Sequence, residues 1–187
     1  MTSTAIRKPL LALAAVATVA TAAPTRAPVR ILDPLTGLRW SPATVAFAPL
    51  DASLKGRCPD LSSPNYEHEL WVLARTGDLL VVSGRYLPRR AELKYTEGDL
   101  GAVVRFRPDG CAMIGPARDL FAGPADYAPD VSAKEAAALS TDAASRYVGA
   151  YRGAAGLCAA MRREGKRLAG LPETLRAPFR AKAPCLR

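Results

Sequence analysis

The hydrophobic pattern of this chain changes period once and does not change back. Between residues 67 and 115 apolar residues come in short runs broken by turn residues, the pattern of strands. From residue 131 they recur every three or four positions, the pattern of helices. Strands first and helices after, without alternation, argue for an α+β fold. The expected architecture is a small antiparallel sheet of two hairpins followed by a C-terminal helical segment.

Each hairpin is placed by its turn residues. Glu69–Ala74 and Leu79–Leu87 flank Arg75-Thr76-Gly77-Asp78, read as a four-residue loop. Ala102–Arg107 and Cys111–Gly115 flank Pro108-Asp109-Gly110, in which proline presets φ and aspartate makes the local turn bond. If Arg107 stands opposite Cys111, then Val104, Phe106, Ala112 and Ile114 form the core face of this second hairpin. Val103, Arg105, Arg107, Cys111 and Met113 then form a mixed face that needs a cover.

Ser132 and Glu135 form a capping box behind Val131 and predict a short helix ending near Leu139. Ser140 or Thr141 is expected to cap a second helix running to about Glu164, with Ala144, Tyr147, Val148, Tyr151, Ala155, Cys158 and Met161 on one apolar face. Gly149 and Gly153 interrupt that helix as G-x-x-x-G, which predicts close approach of another backbone. Pro172 suits the first turn of a last short helix.

Seven prolines punctuate residues 23–66: Pro24, Pro28, Pro34, Pro42, Pro49, Pro59 and Pro64. They forbid a long helix and a central strand. Trp40, Val45, Phe47, Leu50 and Leu54 supply apolar anchors, so this reads as an ordered arm with short edge strands near Leu38–Trp40 and Thr44–Phe47. A single domain over 23–187 is thus expected: arm 23–66, sheet 67–115, helices 131–170 and basic tail 171–187. Pro116, Gly123, Pro124 and Pro129 mark a connecting loop around Leu120, Phe121 and Tyr127.

Residues 1–22 read differently. Arg7 and Lys8 precede an apolar run from Leu10 to Ala20, and Ala20-Thr21-Ala22 matches a signal-peptidase site, with cleavage expected after Ala22. The run is shorter than the roughly 20 residues needed to span a hydrocarbon core, so no stable membrane span is expected. Export to a periplasmic or secreted location follows. In an oxidising compartment Cys58, Cys111, Cys158 and Cys185 imply two disulfides. Of the three connectivities, Cys58–Cys111 and Cys158–Cys185 are expected. The arm is the obvious cover for the mixed hairpin face, and Cys185 follows a segment interrupted by Pro178 and Pro184 that needs an anchor on the helix. The crossed pairings would instead tie the arm to the helices.

The chain holds 36 Ala, and 20 of its 26 basic residues are Arg, a composition that reflects GC-rich bacterial coding more than arginine recognition. Charge is unevenly placed. Beyond residue 22 the net charge is +7, and residues 161–187 contribute +6 of it. Arg162, Arg163, Lys166, Arg167, Arg176, Arg180 and Lys182 are therefore the candidate anion-binding residues, the alternative being cations that complement a helix end and a solvated tail. The implied partner is an envelope protein or an anionic cell-wall or lipid component. Nucleic acid is not expected, since export separates them and no aromatic-interleaved basic motif is present.

Catalytic constellations do not form. His68 is the single histidine, and its neighbours Glu67 and Glu69 point to the opposite strand face. Glu67, Glu69 and Trp71 share a face and carry the alternative of a carboxylate-based envelope hydrolase. The loops Arg75–Asp78 and Pro108–Gly110 carry a further alternative, a secreted inhibitor or immunity-type protein. No C-x-x-C or multi-histidine motif calls for a metal or another cofactor. The residues favour a non-catalytic exported module.

Overall fold

The computed structural model describes residues 30–61, 65–89, 98–122 and 130–186. The leader-like segment and parts of the connecting loop (Gly123, Pro124, Tyr127, Pro129) lie outside them, as do Pro24, Pro28, Pro64 and Arg187. The fold is α+β. The arm supplies β1 (Ile31–Leu32), β2 (Arg39–Trp40), β3 (Ala48–Pro49) and α1 (Ala52–Gly56). The sheet follows as β4 (Tyr66–Thr76), β5 (Leu79–Pro88), β6 (Gly98–Arg107) and β7 (Gly110–Pro116). Helices α2 (Ala117–Leu120), α3 (Ala133–Ala150), α4 (Ala154–Arg163) and α5 (Glu173–Lys182) complete the chain. β1 and β2 pair with each other, and β3 to β7 form an antiparallel sheet in chain order.

This sheet is covered on both faces, which explains the continuous apolar run Leu79–Val82: all four residues are buried. On one side Leu73, Leu79, Val81 and Val103 meet α3, α4, α5 and the β1–β2 hairpin. On the other, Leu70, Val72, Leu80, Val82, Val104 and Phe106 meet Leu50, Cys58 and Leu61. The proline-rich arm therefore serves both faces, its residues 31–47 on the helical side and 50–61 on the opposite side, joined by the edge strand β3.

Both hairpins depart from expectation by small shifts with large effects. Thr76 pairs with Leu79, so the first loop is the two residues Gly77 and Asp78, with Gly77 at φ +56°. In the second, Arg107 pairs with Gly110 and Phe106 with Cys111. That one-residue slip turns β7 over. Cys111 joins the face of Val104 and Phe106, while Ile114 packs with the helical side. The Cys58–Cys111 and Cys158–Cys185 bonds form as expected, but the first lies on the apolar face and not on the mixed one.

The helices are also redistributed. The capping box at Ser132 and Glu135 is present, but the helix it opens runs without a break through Ser140 and Thr141. Their hydroxyls bond back to the carbonyls of Ala136 and Ala137 instead of capping a new start. The break comes at residues 151–153. Gly153 N–H donates to Val148 O and Arg152 N–H to Gly149 O, a Schellman-type ending with Arg152 at φ +59°. The corner turns Ala155 outward to solvent, and a Cβ on Gly149 or Gly153 would meet nothing within 4 Å. Gly153, at φ +109°, therefore serves the corner, and neither glycine makes a close helix contact. Nor is the last segment a solvated tail: Leu175, Phe179, Ala183 and Leu186 form a buried stripe that seats α5 and the residues after it.

Arg105 fastens sheet to helix. Its guanidinium donates to Asp78 Oδ1 (3.0 Å), Glu135 Oε1 (2.9 Å) and the Asp130 carbonyl (2.6 Å). The Arg105 bond, followed by those from the Ser132 N–H and hydroxyl, holds the Glu135 carboxyl down to about 2 from its ordinary 4.5. A depressed carboxyl stabilises the fold above its unfolded value and loses that contribution as pH falls. Glu135→Gln should therefore remove the part of the acid sensitivity that falls between about 4.5 and 2, measured by urea unfolding against pH. An unchanged acid profile contradicts this role. Because Arg152 holds a left-handed backbone, Arg152→Gly should raise stability by about 0.5–1 kcal/mol, relief of strain outweighing glycine's greater freedom when unfolded. A loss of stability contradicts the strain.

Candidate anion-binding site

The loop between α4 and α5 gathers the basic residues. Gly165, at φ +65°, ends α4 with Lys166 N–H donating to Met161 O, again a Schellman-type turn. Residues Leu168–Gly170 then make one 3-10 turn before Pro172. Leu168 and Leu171 are buried and hold the loop down, while Lys166 and Arg167 remain exposed.

Opposite this loop stands the β1–β2 hairpin. Asp33 is 1% exposed, and its Oδ1 accepts the N–H groups of Leu35 and Thr36 at 2.9 Å, an Asx turn. The Tyr147 hydroxyl lies 2.7 Å from both Asp33 carboxyl oxygens and couples the hairpin to α3. Burial pushes the Asp33 carboxyl above its ordinary value, against the lowering effect of its hydrogen bonds. Pro34 rests on Gly101, where a Cβ would come within 2.5 Å of the proline ring. Glu164 Oε2 accepts the Arg39 N–H at 2.9 Å and clips the end of α4 to β2.

Between hairpin and loop lies a cleft of about 690 Å³, floored in part by Leu35 and Leu100. Arg118, Lys166 and Arg167 line it, with Asp99 as the exposed acid. A second hollow of about 510 Å³ holds Arg162, Lys166 and Arg167 beside the Cys158–Cys185 bond. A third of about 240 Å³ holds Arg118 and Arg176 with Glu173. Among the described residues, Arg118, Arg162, Lys166 and Arg167 form no ion pair within 4 Å. Arg176 Nε donates to the Leu171 carbonyl, which orients its guanidinium on the loop.

Of the seven cations singled out by sequence, Arg162, Lys166, Arg167 and Arg176 thus come together around one loop. Arg163, Arg180 and Lys182 are exposed and line none of these hollows. Arg163 stands near Tyr151, whose hydroxyl burial pushes upward. Arg118 is the member that charge counting missed. It lies more than forty positions earlier in the chain, and only the fold brings α2 to the loop.

The residues of the hydrolase and inhibitor alternatives stand apart from these hollows. Glu69 pairs across the strands with Arg85, Oε2 to Nε at 2.7 Å, and Trp71 packs edge-on against Trp40. Neither Glu67 nor Glu69 lines the three hollows. His68 is half-buried on β4, its carbonyl accepting from Lys55 Nζ, and desolvation followed by nearby Lys55 and Arg89 lowers its pKa. Of the loop tips Asp78 accepts from Arg105, and beside the tips the Arg75 N–H donates to Asp142 Oδ2 and Arg57 donates to the Arg107 carbonyl. Among the described residues no group of three His, Cys, Asp or Glu is placed to hold a metal ion, and no helix is long and apolar enough to cross a membrane. No family model, curated protein or solved structure matches the chain.

A raised carboxyl pKa has the opposite linkage sign to that of Glu135. The folded state holds its proton more tightly, so the stability Asp33 contributes is full below its ordinary 3.8 and declines as pH rises toward its native value. Asparagine can still accept the two turn N–H groups. Asp33→Asn should therefore gain on the wild type as pH rises above about 4, whereas Asp33→Ala should lose about 1–3 kcal/mol by orphaning buried donors. Denaturant titrations from pH 3 to 7 read both, and a wild-type advantage over Asp33→Asn that grows with pH contradicts the assignment.

Proposed function

We propose that this is an exported bacterial envelope protein, a non-catalytic binding module that presents the basic face around residues 162–176 to an anionic partner. The carrying observation is the convergence of Arg118, Arg162, Lys166 and Arg167 on one loop without ion-pair partners among the described residues. Exposed cations left unpaired and recessed keep their field for an incoming anion. Export is supported by the charge, apolar run and small-residue site of residues 7–22, and by two disulfides, which persist in oxidising compartments. The helix-end alternative for these cations explains Arg162 and Arg163 in the last turn of α4 and covers Arg118 in the single turn of α2, but leaves Lys166 and Arg167 without a role.

Two measurements test this reading. The protein recovered from the cell envelope should begin near Ala23 and be absent from the cytoplasm. Intact Met1 on cytoplasmic protein contradicts export. Binding to an anionic envelope fraction should fall steeply with salt, because exposed charges are screened beyond about 8 Å at physiological ionic strength. It should be lost on joint neutralisation of Arg118, Arg162, Lys166 and Arg167, and salt-independent binding contradicts the role of the basic face.

A further inference from the structure

The three hollows adjoin one another. The 510 Å³ hollow shares Lys166 and Arg167 with the 690 Å³ cleft, and that cleft shares Arg118, Ala169 and Gly170 with the 240 Å³ hollow. They form a track of successive hollows around the loop, with cations in the order Arg162, Lys166–Arg167, Arg118 and Arg176. We infer that this track binds a linear polyanion, a chain bearing an oxyanion on each repeat, with successive anions engaging successive cations. The inference rests on the proposed basic-face reading and adds to it the class and the shape of the ligand.

Three features select a linear chain over other anions. A monovalent or single-phosphate ligand would be served by one guanidinium fork, whereas the cations here are spread over linked hollows. A bilayer meets a protein on a flat or convex face with apolar side chains projecting from it. These cations instead line recesses. Of the two exposed large apolar side chains among the described residues, Met113 lies on β7 outside all three, while Leu32 lines the cleft as a single side chain and not as a projecting apolar patch. Single-stranded nucleic acid is held by aromatic platforms for its bases. No Phe, Tyr or Trp lines the three hollows, whose apolar lining includes Leu32, Leu35, Leu100, Met161, Leu171 and Leu186. A backbone with flexible, non-aromatic repeats fits that lining.

The test is equilibrium binding of the full chain to sodium polyphosphate of graded length, with orthophosphate, anionic phosphatidylglycerol vesicles and an oligothymidylate of equal charge as separate arms. Affinity for polyphosphate should rise with chain length and then level off once the track is filled. Arg162→Gln and Arg176→Gln, at the two ends, should each weaken long chains about two- to fivefold and leave short ones unchanged. Arg180→Gln, outside the track, should change neither. Circular dichroism melts establish that each variant is folded. Orthophosphate binding as tightly as long polyphosphate, or vesicles or oligothymidylate binding more tightly, overturns the track while keeping a basic anion-binding face. Equal effects of Arg180→Gln and Arg162→Gln also overturn it. Failure of every anion to bind overturns both the track and the reading beneath it.

Discussion

A buried carboxyl bonded to a buried phenol holds this molecule in register. Asp33 organises its own hairpin by taking two backbone N–H groups, and Tyr147 then fixes that hairpin to the last turn of the long helix. The bond is surrounded by rings in edge-on contact: Trp71 against Trp40, Trp40 against Phe47, and Phe47 against Tyr147, with centroids 4.9–5.3 Å apart. Phe179 of α5 continues the series against Tyr147 at 5.2 Å. Sheet, arm, long helix and last helix thus meet around one point. Such pairs contribute beyond their buried area, and a buried polar pair demands correct geometry because an unmade bond there is expensive.

The cleft is a consequence of that arrangement. One wall is the Asp33 hairpin, the other the α4–α5 loop, and each is held by different means. The hairpin depends on Tyr147, on Pro34 resting over Gly101, and on the Glu164–Arg39 bond. The loop depends on buried Leu168 and Leu171 and, beyond it, on the Cys158–Cys185 bond and the seated face of α5. Neither wall has the long regular ladders of the five-stranded sheet. Exposed cations can be carried on such a loop because its apolar residues, and not its charges, anchor it.

The order of elements was legible because the apolar period changes along the chain. Cys158–Cys185 followed from a segment that lacked an anchor, whereas Cys58–Cys111 pairs as expected but on the face opposite to the one that led to it. What local pattern could not resolve were choices between nearly equal options. Pro108-Asp109-Gly110 supports a two- or a three-residue loop, and that single residue decides which face of β7 carries Cys111. Ser140 and Thr141 have cap chemistry, yet a helix already started by Ser132 continues through them because their hydroxyls can bond back to the preceding turn. Arg152 gives no sign in sequence of a left-handed corner. For the site, the basic cluster of residues 162–176 was visible as charge density. Arg118 and Asp33 were not, since one is recruited across the fold and the other looks like an ordinary turn aspartate until its burial is known.

Hydrogen exchange of the Tyr147→Phe variant addresses the central dependence most directly. Phenylalanine keeps the ring contacts and removes the one hydroxyl that meets Asp33. If that bond docks the hairpin and so shapes the cleft, the amides of Leu35, Thr36 and Leu38 should exchange faster than in the wild type. Val81 and Val82, central in the sheet, should keep their protection, because local opening need not lower the stability of the most protected segments. Unchanged exchange at Leu35, Thr36 and Leu38 would show that the hairpin is held without Tyr147 and would contradict the account.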